Sequence, residues 1–320
     1  EIRNCDWSSD VCSSDLLLQR YLAPRGTLAY CFSWVYIITL LVVTYLVTYW
    51  TGAMWAKETI YVEQPKVDFR REFIIYAHGD TEDSAFAYTT WSKYNEWLGN
   101  TLWIPEARVH AVDPDRDGKA ESWVVNLKFP LPSSSTVTNI QGFFFFDYIL
   151  QDKVWASFES MASFDLSFST PTAYVYVDGE LSVHQKLPFP AYQQLNLYES
   201  TSIVNTSNPL YQDLLPRTIL GKYLQRTYTT TMTNVYTTSQ PSTVASENFE
   251  MELVIRIPHE QVRYVPPVME SFKLAWLQYL AVFLVLSLVF GWFKALIYKE
   301  QVLESRVVSD AVPKGKHHEY

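Results

Sequence analysis

Residues 28–50 read LAYCFSWVYIITLLVVTYLVTYW, and no charged side chain interrupts them. Residues 274–293 read LAWLQYLAVFLVLSLVFGWF and are equally free of charge. Each run is about as long as the 20 residues that a helix needs to cross the hydrocarbon core of a bilayer. The sequence therefore predicts two transmembrane helices, over residues 28–50 and 274–297. The alternative for each is a buried core helix, although such helices seldom run this long without a charge.

The composition indicates a folded membrane protein rather than a disordered chain. Of the 320 residues, 48% are hydrophobic, 16% are aromatic and only 18% are charged. The net charge of −9 provides no basic footprint, which excludes nucleic acid as a partner. The cysteines are Cys5, Cys12 and Cys31, so no disulfide and no CxxC zinc or redox pair can form between the two helices.

The positive charges that follow the second helix predict the orientation of the chain. Residues 298–320 are expected in the cytoplasm, because cations cluster there and just before, at Lys294, Lys299, Arg306, Lys314 and Lys316. With two spans, residues 17–27 are then also cytoplasmic, and residues 51–273 form an extracellular or lumenal domain. Residues 1–16 carry no apolar periodicity and no targeting pattern, and they resemble a translated sequencing adapter. We therefore expect this segment to be non-native.

The region between the helices has the pattern of β-strands. Residues 249–257 alternate apolar and polar side chains, as a half-buried strand does. Asp178-Gly179 predicts a two-residue hairpin turn. Residues 192–245 are less regular and predict longer loops with a small helix near 211–223. Further strands are predicted at 69–76, 86–91, 107–112, 123–129, 140–150, 153–168 and 173–177. The predicted fold is an all-β, β-sandwich-like lumenal or extracellular domain flanked by two transmembrane α-helices.

One loop has the spacing of calcium ligands. Asp113, Asp115, Asp117 and Glu121 stand at positions 1, 3, 5 and 9, and Gly118 at position 6 permits a sharp turn. Position 12 is Val124 rather than Glu, so an EF-hand is not predicted. A shorter β-hairpin calcium loop fits better, with the Lys119 carbonyl as a fifth ligand. The alternative is an acidic turn whose Asp side chains accept hydrogen bonds from their own backbone; both interpretations stay open.

Other sites are few. Asn205-Thr206-Ser207 is a sequon, and Asn205 is a candidate glycosylation site, although a single sequon also occurs by chance. The sequence contains no HExxH, no GxSxG, no P-loop and no dinucleotide fingerprint, so we predict no enzymatic activity and no small-molecule substrate. Within the charge-free runs 28–50 and 274–293, no charged side chain marks an ion or proton pathway.

The order of several short motifs resembles the transmembrane protein 231 family, which consists of two-pass proteins of the ciliary transition zone. The resemblance covers nearly all of residues 17–300. The similar stretches are 62–65 (VEQP), 113–119 with the strand ending at 130–132 (PLP), 160–162 (SMA), 176–181 (YVDGEL) with 185–186 (QK), and 272–279 (FKLAWLQY). No motif is diagnostic alone, and residues 200–245 and the C-terminal tail depart from the family pattern.

This resemblance implies a non-enzymatic scaffold in the ciliary membrane at the transition zone. Its expected partners are the lipid bilayer and other membrane proteins of the Meckel syndrome complex, including tectonic-type proteins. Its expected role is to help form the diffusion barrier between plasma and ciliary membranes and to support ciliogenesis. An accessory subunit of a membrane transporter or lipid flippase is the alternative, although such subunits normally rely on disulfides and several glycans. A membrane-tethered hydrolase is a weaker third option.

Overall fold

The computed structural model describes residues 19–22, 28–52, 56–79, 85–131, 136–198, 201–206, 210–242, 248–300, 302–303 and 306–309. The adapter-like segment 1–16, with Cys5 and Cys12, lies outside the described residues. The chain divides into two compact units, one formed by Glu1–Ala56 with Val268–Tyr320 and the other by Lys57–Pro267. The elements are β1 (Gln19–Leu22), α1 (Leu28–Trp50), β2 (Thr59–Glu63), β3 (Lys66–His78), β4 (Ala85–Thr89), α2 (Ser92–Leu98), β5 (Glu106–Val112), β6 (Ser122–Pro130), β7 (Asn139–Leu150), β8 (Trp155–Ser167), β9 (Thr172–Gln185), β10 (Phe189–Pro190), β11 (Gln194–Leu197), α3 (Pro216–Leu224), β12 (Tyr228–Pro241), β13 (Asn248–Arg256), β14 (Glu260–Val265), α4 (Val268–Lys299) and β15 (Arg306–Ser309).

The first unit contains two helices that are long and apolar enough to cross a membrane, α1 and α4. They pack antiparallel: the Tyr298 hydroxyl donates a hydrogen bond to the Ala29 carbonyl at 3.3 Å, and the Tyr36 ring lies 6.2 Å from that of Phe290. The Lys294 ammonium lies 5.0 Å from the centre of the Tyr36 ring, a cation–π contact near the end of α4. α4 begins at Val268, six residues before the charge-free run. The predicted span began later because the first turns of this helix carry Glu270 and Lys273.

The second unit is a β-sandwich, as the sequence predicted. One sheet has the order β11-β8-β7-β3-β4, and the other has the order β12-β9-β13-β6-β5. Buried side chains of both sheets form one core, for example Phe144 and Phe146 of β7 with Val177 of β9 and Leu253 of β13. A third, small sheet has the order β10-β14-β2. Ten strands in two layers remove enough apolar surface from water for the unit to need no disulfide.

The central strand β7 is buried on both faces. Its run of four phenylalanines alternates between two cores: Phe144 and Phe146 face the sandwich, whereas Phe143 and Phe145 belong to a second cluster. That second cluster lies against α2, α3 and the segment around Ile203, with Tyr94, Ile203, Ile219 and Tyr223 among its members. The period-2 geometry of a strand explains why one uninterrupted aromatic run feeds two separate cores.

The hairpin predicted at Asp178-Gly179 is wrong, because β9 continues through both residues as one strand. Asp178 is held by a bidentate pair with Arg256 of β13, at 2.8 and 2.6 Å. At Gly179, a Cβ would lie 2.6 Å from the Met232 Cε and 3.3 Å from a methyl of Val235. Both neighbours belong to β12, whose bulge places Asn234 at a φ of 50°. The glycine therefore permits a close approach of the neighbouring strand rather than a turn.

The helix predicted near 211–223 is present as a 3₁₀ turn, Tyr211–Leu214, followed by α3. The helix α2 and the strands β2, β10, β11, β12 and β14 of this unit were not predicted, and β12 lies where the sequence predicted longer loops. β12 reads as Thr- and Tyr-rich polar sequence because its second half is exposed on both faces, which removes the alternation on which strand prediction depends.

Candidate functional site

The acidic loop connects two antiparallel strands, β5 and β6, which pair from Val112 and Ser122 onward. This is the hairpin setting that the sequence predicted. Carboxylate oxygens of Asp113, Asp115 and Asp117 lie within 4.8 Å of one another, close enough to share one cation. Gly118 adopts a φ of 86°, the left-handed conformation that the tight turn requires.

The same carboxylates accept hydrogen bonds from the loop backbone. Asp113 accepts from the amides of Arg116 at 2.7 Å and Gly118 at 3.2 Å. Asp115 accepts from the amide of Asp117 at 3.2 Å, and Asp117 accepts from that of Lys119 at 2.7 Å. These are Asx turns, the alternative weighed from the sequence. Each carboxylate oxygen has two lone pairs, so the turn bonds and a bound cation are compatible.

The fourth predicted carboxylate lies apart from this cluster. Glu121 is exposed at the far end of the loop and does not join the three aspartates among the residues that the structure describes. Its backbone amide donates to the Val112 carbonyl at 2.9 Å. The Lys119 ammonium donates to the carbonyl of Gln64 at 2.9 Å, which ties the loop to the connection between β2 and β3.

The predicted glycosylation site lies on the surface. Asn205 is exposed, and its backbone carbonyl accepts a hydrogen bond from the buried Tyr94 hydroxyl at 2.7 Å. The two residues before it, Ile203 and Val204, are buried in the second core. The asparagine therefore lies on a segment that Ile203 and Val204 anchor in the second core. Ser207 of the sequon lies outside the described residues.

A buried ion cluster holds that segment, and the sequence did not indicate it. Glu159 of β8 accepts hydrogen bonds from Arg70 at 2.7 Å, Arg226 at 3.1 Å, Ser202 at 3.0 Å and the amide of Ile203 at 2.8 Å. Arg70 lies within the bulge of β3, between Phe69 and Glu72. Sixty-seven residues separate Glu159 from Arg226, so no local pattern could have revealed the pair.

Arg226 is the second arginine that pairs with Glu159. Its guanidinium lies 4.5 Å from the ring centre of Tyr198 and donates to the carbonyls of Glu159 at 3.1 Å and Thr201 at 2.5 Å. Its side chain is only 7% exposed. Such a planar, multiply bonded cation is suited to a buried position, and here it fixes the chain between β11 and α3.

Glu260 is a second buried carboxylate that sequence reasoning missed. One oxygen accepts from the amide of Val183 at 2.7 Å, and the other has no hydrogen-bond partner among the described residues. Burial raises the pKa of Glu260 to about 7, and the charge of Glu180 adds to this rise. The carboxyl group therefore changes its charge near neutral pH, at the junction of β9 and β14.

Two of the motifs that resemble the family make hydrogen bonds to distant parts of the fold. Glu63 of the VEQP motif is buried and accepts from the amides of Gln151 and Asp152, at 2.7 and 3.1 Å, and from the Tyr61 hydroxyl at 2.7 Å. The backbone amide of Met161, in the SMA motif, donates to the hydroxyl oxygens of Tyr223 at 3.2 Å and Thr230 at 3.1 Å. Both motifs therefore connect elements that are distant in sequence.

The polar outer face of the β12-containing sheet carries paired charges and a shallow groove of about 340 Å³. Lys128 pairs with Glu250 at 2.8 Å, and the Tyr174 hydroxyl donates to Glu252 at 3.0 Å. The described histidines are all exposed and lie on separate elements, at His78, His110, His184 and His259.

Together, the two candidate spans and the intervening β-sandwich define a membrane protein with a large domain between its helices. The family model described as Transmembrane protein 231 matches residues 13–307. The chain therefore belongs to the transmembrane protein 231 family, which confirms the resemblance recognised from the motifs.

Curated relatives agree with this assignment. Transmembrane protein 231 of Mus musculus is 31% identical over 272 residues, covering 85% of each chain. The Xenopus tropicalis protein is 28% identical over 87% of this chain and 89% of its own, and the Homo sapiens protein is 29% identical over 84% and 85%. A solved structure of a proton-activated chloride channel aligns with 83% of this chain and 97% of its own, at 7% identity and a TM-score of 0.28.

Proposed function

We propose that this protein is a non-enzymatic membrane scaffold of the ciliary transition zone. It would contribute to the diffusion barrier between plasma and ciliary membranes and to ciliogenesis, together with tectonic-type and other membrane proteins of the Meckel syndrome complex. Membership of the transmembrane protein 231 family is the observation that carries this proposal. The names of the relatives indicate no catalytic function.

The surface of the sandwich supports a role in binding other proteins rather than in catalysis. The outer face of the sheet β12-β9-β13-β6-β5 is exposed and polar, with charges already paired to one another. Pairs of this kind add specificity to a protein interface more than affinity. The alternative, an accessory subunit of a transporter or lipid flippase, is disfavoured by the lack of cysteine in Lys57–Pro267, because such subunits normally use disulfides.

In ciliated cells, the tagged full chain is expected to form a narrow band at the base of the cilium. A scaffold retained by a protein complex stays where the complex is, whereas a freely diffusing membrane protein spreads. Fluorescence microscopy against markers of the basal body and axoneme measures the distribution, with an unrelated two-pass membrane protein under the same tag as control. A signal spread over the endoplasmic reticulum or the whole plasma membrane would refute the scaffold and favour the flippase subunit.

We also propose that the β-sandwich lies on the extracellular or lumenal side and that Asn205 carries a glycan there. Glycosylation occurs only on that side of the membrane, so a glycan reports topology. Glycosidase treatment is expected to increase the gel mobility of the wild type and to leave Asn205→Gln unchanged. Asn196→Gln, outside any sequon, serves as the matched control and should behave as the wild type. Digestion of the sandwich by protease added to the cytoplasmic side would overturn this topology.

For the acidic loop we propose a structural calcium ion. Calorimetric titration of the purified chain with Ca²⁺ should release heat in the wild type and not in Asp115→Ala, because Asp115 belongs to the clustered carboxylates. Glu121→Ala is the control, since its side chain lies apart from the cluster, and it should still bind. If the wild type shows no heat, or if Asp115→Ala binds equally well, the loop is an Asx-stabilised turn only.

A further inference from the structure

The small sheet β10-β14-β2 turns one face to the interior and the other to the surroundings. Glu63 of β2 and Val262 and Tyr264 of β14 are buried, as alternation along a strand requires. On the opposite face, Ile60 is 55% exposed and Val62 is 59% exposed. The outward face thus presents aliphatic side chains where a solvated strand would carry polar ones.

Strand pairing brings this face together with a cation. Ile60 lies opposite Arg263 and Val62 lies opposite Gln261, while Val265 at the end of β14 is 44% exposed. The Arg263 guanidinium donates to the backbone carbonyl of Gln185 and lies 3.9 Å from the exposed carboxylate of Glu58, and its side chain stays 42% exposed. An aliphatic face with an accessible guanidinium is the combination that suits a phospholipid surface, since the apolar groups enter the interface and the cation reaches the phosphates.

The chain itself keeps this face close to a bilayer. Val265 is followed by Pro266 and Pro267, and α4 begins at Val268. Three residues span at most about 10 Å, and prolines keep such a linker stiff. The charge-free part of α4 begins at Leu274. The six helical residues before it, 268–273, rise about 9 Å, which is close to the thickness of a headgroup layer. Val265 is therefore tethered within reach of the headgroups next to α4.

We propose that the outward face of β2 and β14, formed by Ile60, Val62, Gln261, Arg263 and Val265, binds the headgroup layer of the membrane that α1 and α4 cross. A lipid partner is favoured over a protein partner because both strands lie at the ends of the domain, where the chain enters and leaves it. The inference rests on the two spans and is independent of the ciliary role.

The test uses fluorescent labels on single cysteines in the full chain, after replacing Cys5, Cys12 and Cys31 by serine. Val62→Cys and Ile60→Cys report on the proposed face. Ile104→Cys is the matched control, because Ile104 is also an exposed aliphatic residue, 66% exposed. It lies just before β5, at the end of the sheet opposite to the connection between β13 and β14. The chain is reconstituted into phosphatidylcholine vesicles containing phosphatidylserine and a lipid with a nitroxide on its headgroup.

Labels at residues 60 and 62 are expected to be quenched by the headgroup nitroxide roughly threefold more strongly than the label at 104, since only the former lie within the interface. Adding Ile60→Asn should reduce quenching at residue 62 and leave the label at 104 unchanged. Equal, weak lipid quenching at all positions, with free access of aqueous iodide, would show an exposed face and overturn the proposal. Weak lipid quenching combined with loss of iodide access at 62 would show a protein covering instead, which overturns it too.

Discussion

Arg226→Ala is expected to lower the free energy of unfolding of the β-sandwich by about 3–5 kcal/mol, the usual cost of breaking a buried ion pair by removing one partner. The substitution removes the donor at 3.1 Å from Glu159 and leaves the carbonyls of Glu159 and Thr201 without their guanidinium. Arg70 still pairs with Glu159, but it cannot reach across to replace a side chain that is enclosed by Tyr198 and Tyr223.

Thermal unfolding of the purified chain, followed by tryptophan fluorescence, measures this loss as a fall of roughly 10 °C in the midpoint of the domain. Arg226→Lys should recover only part of it, because an ammonium cannot replace the planar fork of donors. Arg108→Ala is the matched control, since Arg108 and Glu106 form an exposed pair and its loss should cost less than about 1 kcal/mol. If Arg226→Ala were as mild as Arg108→Ala, the cluster would not hold the segment before α3.

The second large effect is expected at a glycine. Gly142 lies on β7, where it pairs with Phe164 of β8, and a Cβ added there would stand 2.5 Å from Phe164 Cζ and 3.0 Å from Phe144 Cε2. The two rings stack at 6.0 Å between centroids, and Phe144 is fully buried. Gly142→Ala therefore forces an aromatic ring out of its place and should cost about 1–3 kcal/mol, as overpacking of a core does.

The control for this glycine is Gly221→Ala. Gly221 lies within α3, where an added Cβ meets nothing within 4 Å. That substitution should stabilise by about 0.5–1 kcal/mol, because alanine loses less backbone entropy in a helix. Chemical denaturation of both variants gives the comparison, and Phe164→Leu added to Gly142→Ala should restore part of the loss by making room. If the two alanine variants changed stability in the same direction, the proposed packing of Phe164 over Gly142 would be wrong.

Features encoded by neighbouring residues were predictable. The run 28–50 predicted α1 with its bounds, because the absence of charge is visible residue by residue. The alternation at 249–257 predicted β13, and the paired strands β5 and β6 flank the acidic loop where the sequence placed it. The same local logic failed at Asp178-Gly179. The strand β9 continues through both residues. Gly179 is needed there because a side chain would collide with the bulged strand β12, not because the chain turns.

By itself, then, the sequence determined that this protein has two apolar helices around a β-rich domain, with three aspartates in one hairpin. Hydropathy, strand period and turn spacing are all properties of short segments. Only the tertiary structure decided which phenylalanines of β7 enter which core, that Arg226 meets Glu159, and that Ile60 and Val62 form an exposed aliphatic face. These outcomes depend on strand pairing between residues far apart in the chain, and the register of such pairs is set by the packing of the whole sandwich.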